Sequence, residues 1–425
     1  MQFKNLEMKK YLDKNYWLNF IDKNENFSNT CVLKDSFSNE DQTILYNSVT
    51  EAIYRRISDV ILDKGFRVYN DGKEASGKET IDFFKQNPPK SEEDLILYLK
   101  RIFKNKFGII MNNNEAFSEQ LASRVYEMVE PLFDLAGVPP LGNEITVFIG
   151  DYGWTPLGIH KDQKGENVIH FHLGPGRKQM YIWDESLYEK LVGKNVYNNK
   201  NIEPILDKAK KYDFGAGDIF YMPWYENHVG YTEDISIGVS LWFKSTDNYT
   251  FSKKILEHFI LQFLPNDQKI IPPQINYLDN DDTFENFKNS ISSTLDDSES
   301  TLDDFLKKIY LDHKYTLLSN SSWSTVPIEN KIDDLDDDFL YDKIISIVKP
   351  FKIIYENYKN EKMYIFVRGN RFSIKYFKDI EDLIRRLNNN ETIEINELLK
   401  TLTIPNDAFL YVVLIFYKFR GISIS

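Results

Sequence analysis

The sequence lacks several features that mark common classes of protein. Its 425 residues include one cysteine, Cys31, so no internal disulfide can form, which fits a reducing compartment. No apolar run approaches the roughly 20 residues of a membrane-spanning helix. The first residues, MQFKNLEMKKYLDKNYW, lack the apolar core of a signal peptide. We therefore expect a cytoplasmic protein that does not associate with membranes.

A surplus of basic residues is also absent. The net charge of −13 makes nucleic-acid binding through a generally basic surface an unfavourable hypothesis. A basic peptide or protein partner is compatible with this charge. Hydrophobic residues make up 42% of the chain, which is typical of a globular protein with room for two or three domains.

The first 140 residues carry helical patterns. Ser38 begins a capping-box pattern ahead of apolar residues at helical spacing, and Ser91 begins a second one. A third apolar stripe runs from about Glu119 to Asp134. From about Asn143 to Lys244 the pattern changes to short β-branched and aromatic runs separated by Gly, Pro and Asp, which predicts an antiparallel barrel or sandwich.

Histidine is scarce but clustered. Four of the six histidines fall in this β region. His160 and Asp162 stand two residues apart, so on a strand both side chains leave the same face. The stretch GDIFYMPWYENH supplies His228 as a third ligand. Two histidines and one carboxylate on one face form the ligand set of non-haem Fe(II) oxygenases, whereas most HxD pairs on their own are surface features.

Residues about 100 to 245 resemble the JmjC-type 2-oxoglutarate oxygenases of the cupin superfamily. The matching stretches are FGIIMNN, GDYGWTPLGIHKD, GRKQMYIW, GDIFYMPWYENH and GVSLWFK. The resemblance implies a double-stranded β-helix with Fe(II) on His160, Asp162 and His228. It also implies decarboxylation of 2-oxoglutarate to succinate, with O2 as the oxidant that hydroxylates a C–H bond.

The same resemblance implies roles for residues that contact the co-substrate. Lys178 in GRKQMYIW matches the lysine that pairs with the far carboxylate of 2-oxoglutarate, with Arg177 as the alternative on the opposite face. Asn167, Thr155 and Ser240 match polar positions near the co-substrate, and each is also compatible with a structural turn or strand role.

His170 and His172 depart from the family pattern. They share one face of the run NVIHFHL. One of them is expected to line the substrate or co-substrate pocket, and the alternative is a hydrogen-bonded histidine in the barrel wall. A second metal pair is disfavoured because no further ligand motif lies nearby.

The last 75 residues form a unit resembling the winged-helix-like domain of ribosomal oxygenases, with a hairpin turning at Gly369-Asn370. Residues 278 to 304 are rich in Asp, Ser and Asn and predict a linker or exposed loop. We therefore expect an α+β fold with three parts. Residues 1–250 form a cupin (jelly-roll) oxygenase domain with N-terminal helices, 251–345 a helical segment that can mediate homodimerisation, and 346–425 the winged-helix-like domain.

Three hypotheses for function follow. The first is an Fe(II)- and 2-oxoglutarate-dependent hydroxylase of a residue in a peptide or protein, either a ribosomal protein or the precursor of a modified peptide. The second is a hydroxylase of a free amino acid or another small molecule. The third is a non-catalytic cupin that binds a metal and acts as an interaction module, which the intact ligand set and Lys178 disfavour.

Overall fold

The computed structural model describes residues 12–62, 65–264, 282–292, 301–332, 339–358 and 362–425. Part of the predicted linker, at 278–281 and 293–300, lies outside these ranges. The linker prediction is wrong for residues 282–292, which form a helix. It is also wrong for residues 302–304, which begin the next helix. Phe287 and Ile291 stand four residues apart, so this polar stretch still carries an apolar helical spacing.

Helices dominate the N-terminal part of the described chain. The helices are α1 (Lys14–Lys23), α2 (Asn39–Ser58), α3 (Gly77–Gln86), α4 (Leu95–Ile102) and α5 (Glu119–Ala136), with a short 3-10 turn at Asn114–Ala116. The strands between them are β1 (Cys31–Leu33), β2 (Phe66–Asn70), β3 (Lys73–Glu74) and β4 (Phe107–Met111).

Two helix caps bear directly on the predicted helix starts. The capping box at Ser38 is confirmed, because its hydroxyl accepts a hydrogen bond from the backbone N–H of Asp41. The predicted start at Ser91 is wrong. Glu92 adopts a left-handed φ of 56°, which no α-helix accommodates, and Asp94 caps α4 instead.

The β region extends from residue 144 to residue 244. Its strands are β5 (Glu144–Gly150), β6 (Gly153–Trp154), β7 (Glu166–Pro175), β8 (Lys178–Trp183), β9 (Lys210–Phe214), β10 (Ile219–Met222), β11 (Asn227–Thr232) and β12 (Ser236–Lys244). Helix α6 (Glu185–Val192) and a 3-10 turn at Glu203–Lys208 lie between β8 and β9. Five of these strands were predicted, whereas the short β6, β9 and β11 were not.

Two antiparallel sheets result. The first has eight strands in the order β1-β10-β7-β12-β5-β4-β2-β3, and the second has four in the order β6-β11-β8-β9. From β5 to β12 the chain alternates between the sheets at almost every step. The prediction of an α+β fold with antiparallel sheets is therefore confirmed.

The first sheet has two faces with different surroundings. One face packs against the N-terminal helices through buried residues that alternate along the strands, among them Val147, Ile169, Phe171, Val239 and Leu241. Between the two sheets lies a smaller apolar cluster of Val168, Met180, Ile182, Phe214, Phe220 and Met222. The period-2 alternation thus assigns one set of side chains to the core and the other to the space between the sheets.

The C-terminal part begins with helices α7 (Asn248–Gln262), α8 (Asp282–Ser292) and α9 (Leu302–Ser319). It continues with β13 (Ile344–Ile347), β14 (Ile354–Tyr358), β15 (Lys362–Val367), β16 (Asn370–Lys375), α10 (Lys378–Asn388), β17 (Ile393–Glu394), α11 (Ile395–Leu399), α12 (Asn406–Lys418) and β18 (Ile422–Ile424). These strands form two three-stranded sheets, β17-β13-β18 and β14-β15-β16.

The predicted hairpin exists, but its turn lies one residue earlier. Arg368 and Gly369 occupy the two central positions with φ of 49° and 81°, as a two-residue hairpin turn requires. The Arg368 guanidinium is buried, lies 3.3 Å from the centre of the Phe351 ring and donates to Asn320. Helices in the described ranges are all too short or too polar to cross a membrane.

Candidate metal centre

Three predicted ligands meet in the space between the two sheets. His160 pairs with His228 through two backbone hydrogen bonds, of 3.1 Å and 2.8 Å, so β11 holds the His160 segment directly. The candidate ligand atoms of His160, Asp162 and His228 all lie within 4.8 Å of one another. Among the described residues this is the one group of three or more such side chains close enough to hold a metal ion.

Both imidazoles are oriented by backbone carbonyls. His160 Nδ1 lies 2.8 Å from the carbonyl oxygen of Gly158, and His228 Nδ1 lies 3.1 Å from that of Glu226. A carbonyl only accepts, so each Nδ1 carries the proton and donates it. Each Nε2 is therefore left with a free lone pair, which is the arrangement that a metal-ligating histidine needs.

The Asp162 carboxylate has an unused acceptor. Its Oδ2 is buried and receives no hydrogen bond from the described residues. Burial raises the pKa of Asp162 to about 6, and burial lowers the pKa values of His160 and His228 to about 4. Neutral imidazoles and a carboxylate without an ion-pair partner in the described part of the chain fit a divalent cation.

The ligands line a cavity of about 360 Å³. Strand register divides the face of the first sheet that is turned toward the cavity into three layers, not all of whose residues line the cavity. The outer layer contains Glu144, Trp242 and Val168, the middle one Thr146, Ser240 and His170, and the inner one Phe148, Gly238 and His172. Glu144 and Trp242 are half-exposed, whereas the residues of the middle layer are buried. The cavity therefore runs from a polar, aromatic mouth to a closed interior.

Lys178, on β8 of the second sheet, faces Phe148 of the inner layer. It is only 7% exposed, and its Nζ lies 4.8 Å from the centre of the Phe148 ring. The described residues provide it with no ion-pair or hydrogen-bond partner. Arg177 behaves differently, because its side chain is 59% exposed and pairs with Asp213. Lys178 and not Arg177 is thus available to an anion in the cavity.

Thr155 and Asn167 have different positions. Thr155 lines the cavity, but its hydroxyl donates to the carbonyl oxygen of Gly230 and accepts from the N–H of the same residue. Asn167 does not line the cavity. It lies on the opposite face of β7 from His170, and its Oδ1 accepts a hydrogen bond from the backbone N–H of Trp224. The structure therefore does not bring Asn167 to the metal ligands.

Ser240, His170 and His172 form a buried hydrogen-bonded relay. The Ser240 hydroxyl lies 2.8 Å from His170 Nδ1, His170 Nε2 lies 3.4 Å from His172 Nδ1, and His172 Nε2 lies 2.7 Å from the carbonyl oxygen of Gly176. Ser240 and His170 line the cavity, but His172 does not. His170 thus fits the hypothesis of a pocket residue, and His172 fits that of a hydrogen-bonded residue in the barrel wall.

Several cavity residues were missed from the sequence. Phe148 lies under Lys178, and Gly230 leaves room beside it, because a Cβ there would lie 2.8 Å from Thr155 Oγ1 and 3.3 Å from Lys178 Cε. Arg67 and Asn112 reach the cavity from the N-terminal part. Of these positions, only Gly230 could have been noticed in the sequence, because a glycine inside a strand often marks a place where another group approaches closely.

Comparisons with solved structures return the ribosomal oxygenase YcfD from Escherichia coli. One structure matches with a TM-score of 0.48 and 13% identity over 96% of this chain and 98% of that chain. A complex with cobalt and succinic acid matches with a TM-score of 0.46 and 11% identity, and one with cobalt and 2-oxoglutarate with 0.46 and 12%. Both cover 96% of this chain and 98% of the other.

These structures belong to the group that the sequence resemblance indicated. No protein-family model matches the sequence, and no curated protein matches it either. At such low identities and TM-scores the likeness gives no evidence on activity. The evidence for function is the donor set and the geometry of the cavity.

Proposed function

We propose that the protein is an Fe(II)- and 2-oxoglutarate-dependent oxygenase that hydroxylates a residue in a peptide or protein. One observation carries the proposal. Two imidazole Nε2 atoms and a carboxylate oxygen converge on a cavity whose inner end holds a buried lysine, and the described residues give neither that oxygen a hydrogen bond nor the lysine a counter-ion. A divalent metal would neutralise the carboxylate, and one carboxylate of a dianionic co-substrate would neutralise the lysine.

The residues have distinct tasks in this proposal. Bound Fe(II) would supply the centre at which 2-oxoglutarate is decarboxylated and O2 oxidises a C–H bond. His160, Asp162 and His228 hold the metal on one side and leave the cavity side open. Lys178 pairs with the far carboxylate of the co-substrate. The apolar cluster between the sheets keeps water from the inner end.

We also infer that the two sheets form a double-stranded β-helix. The alternation of β5 to β12 between the sheets supports this inference. The separate apolar core from Leu340 to Ile422 supports a distinct C-terminal unit, for which we propose the winged-helix-like domain at 346–425. The remaining boundaries, 1–250 for the oxygenase domain and 251–345 for the helical segment, are part of the same proposal.

The resemblance and the mouth of the cavity support the proposed substrate class. Glu144, Glu166 and Trp242 line the cavity and are half-exposed. An acidic and aromatic rim, on a protein of net charge −13, favours a segment of peptide over a small anion. Lys244 pairs with both glutamates and fixes their positions.

Anaerobic reconstitution tests the proposed activity. Protein stripped of metal is loaded with Fe(II) and given 2-oxoglutarate, with or without candidate peptides. After admission of O2, succinate is measured. We expect succinate in the wild type and its loss in His160→Ala, Asp162→Ala and His228→Ala, because each change removes a metal ligand. His313→Ala, on α9, is the control and is expected to retain activity. Full turnover in any variant of the three ligands would contradict the proposal.

A further inference from the structure

His170 lines the metal cavity but has no task in the proposed reaction, and the structure explains how its ring is fixed. It lines the cavity in the middle layer and is 3% exposed. Its ring leans toward the inner layer over Gly238. A Cβ at Gly238 would lie 2.1 Å from His170 Cε1, so any side chain at this position would displace the ring.

The proton order of the relay is determined by its last acceptor. The Gly176 carbonyl oxygen only accepts, so His172 Nε2 carries a proton and donates it. A neutral His172 then has only a lone pair at Nδ1, which accepts from His170 Nε2. His170 Nδ1 in turn accepts the hydroxyl proton of Ser240. Burial lowers the pKa values of both histidines, in agreement with this neutral order.

Aromatic packing restrains the same ring from the second sheet. The Phe214 ring lies edge-on to His170 at 5.5 Å between centroids, and edge-on to His172 at 5.3 Å. The Phe148 ring lies 6.5 Å from that of His170 and supports Lys178 from below. The imidazole therefore has hydrogen bonds at both nitrogens and close neighbours on its sides, so it has little freedom to rotate away.

We propose that His170 is a specificity-determining residue. Its ring forms the wall of the cavity that limits the length of the bound 2-oxo acid, whose far carboxylate pairs with Lys178. Ser240, His172 and Gly238 are positioning residues that hold this wall in place. The inference rests on the proposed function, because it assumes that a 2-oxo acid binds between the metal and Lys178. Since the Ser240 proton is committed to His170, Lys178 is left as the donor to the carboxylate.

The test compares two acids that differ by one methylene. Fe(II)-loaded protein is titrated without O2 with 2-oxoglutarate and with 2-oxoadipate, and binding is followed by the charge-transfer absorption of the Fe(II)–2-oxo acid complex. We expect the wild type to prefer 2-oxoglutarate by about tenfold or more. His170→Ala and His170→Asn should reduce that preference by about tenfold, mainly through tighter binding of 2-oxoadipate.

A second variant should act in the opposite direction. Gly238→Ala pushes the ring into the cavity, so 2-oxoadipate binding should fall further and 2-oxoglutarate binding should weaken as well. General damage to the fold does not produce opposite changes in selectivity at two neighbouring positions. Cobalt affinity, measured by calorimetry, should stay within about threefold of the wild-type value in all these variants, since His170 holds no metal. His313→Asn serves as the matched histidine control.

The outcomes separate the two proposals. If the wild type binds metal but neither acid, the proposed function fails and this inference fails with it. If 2-oxoglutarate binds and the preference is unchanged in both His170→Ala and His170→Asn, the wall lies elsewhere and only this inference is overturned. Should His170→Ala not fold, His170→Asn, which keeps a polar partner for Ser240, decides the matter.

Discussion

At the scale of single residues, the candidate metal ligands could be predicted from the sequence and their surroundings could not. The spacing of His160 and Asp162, with His228 downstream, indicates a facial ligand set from residue types and order alone. The face on which Asn167 lies depends on the register of β7, which a loop of uncertain length precedes. A shift of one residue moves a side chain to the other face of a strand, so this prediction could not be secured from sequence.

Lys178 and Arg177 provide a matched pair of neighbouring cations. We expect Lys178→Ala to raise the KM for 2-oxoglutarate by about 100-fold, because a buried ion pair with the co-substrate is lost. Fe(II) affinity should change little. Arg177→Ala should leave the KM near the wild-type value, since its side chain pairs with Asp213 at the surface. Succinate formation at varied 2-oxoglutarate concentrations gives the KM of each variant. Equal effects of the two substitutions would show that Lys178 has no special role.

Glu115 makes the stability depend on pH. It is fully buried, its Oε2 accepts from the backbone N–H of Ile145, and its Oε1 has no hydrogen bond from the described residues. Burial raises the pKa of Glu115 to about 8. The neutral carboxyl is thus favoured in the folded state. The stabilisation from the neutral Glu115 carboxyl is fully present below the unfolded-state pKa of roughly 4.3. It is lost as the pH rises from there to the folded-state pKa of about 8.

Glu115→Gln should remove this dependence because the amide does not ionise. Relative to the wild type, the variant should gain unfolding free energy between pH 5 and pH 8, by at most about 1.4 kcal/mol per pH unit. Urea denaturation of metal-free protein at both pH values measures the gain. The exposed Glu233, changed to Gln, is the control and should show no such trend. A pH-independent difference for Glu115→Gln would contradict this explanation.

At the scale of elements, strand alternation and the helix start at Ser38 could be predicted, while the start of α4 and the short strands could not. The β11 strand that carries His228 is short and contains Asn227 and Gly230, two residue types that are depleted in strands. It exists because β8 and β6 provide hydrogen-bond partners on both sides. Strand propensity depends on such neighbours, which the local sequence does not contain.

The capping box of α2 gives a prediction at this scale. Ser38→Ala removes the acceptor for the Asp41 N–H and should lower the unfolding free energy by about 1 kcal/mol. Ser38→Thr should restore most of it, because its hydroxyl caps the same N–H and keeps the donor to Asp41 Oδ2. Thermal or urea denaturation measures the difference. No loss in Ser38→Ala would indicate that Asp41 is held by its contact with Arg124 alone.

At the scale of the whole molecule, the helical segment carries apolar residues that the described chain leaves exposed. Tyr249, Leu256 and Ile260 follow one face of α7, and Leu302, Leu306 and Tyr310 recur every four residues on α9. The two helices pack together through Ile255, Phe259 and Ile309. Exposed apolar stripes on a packed helix pair favour association with a second copy, as the sequence resemblance implied.

We therefore expect a homodimer through this surface. Ile260→Glu combined with Leu306→Glu should convert it to a monomer, because charges would be buried without partners. Light scattering coupled to size exclusion measures the mass. Leu97→Glu, at an exposed leucine of α4, is the control and should leave the dimer intact. A monomeric wild type at micromolar concentration would refute the prediction.

From the sequence alone, residue types predicted the candidate ligands His160, Asp162 and His228 and the antiparallel β region between two helical parts, and the family resemblance pointed to Lys178 with Arg177 as the alternative. The His160 and Asp162 pair and the β runs follow from residue type and short-range spacing, which are local properties, whereas Lys178 follows from the resemblance. The tertiary structure decided which face Asn167 occupies, which histidine reaches the cavity and what lies beneath Lys178. Those depend on strand register and on contacts between residues far apart in the chain, such as Gly238 with His170, and only packing sets them.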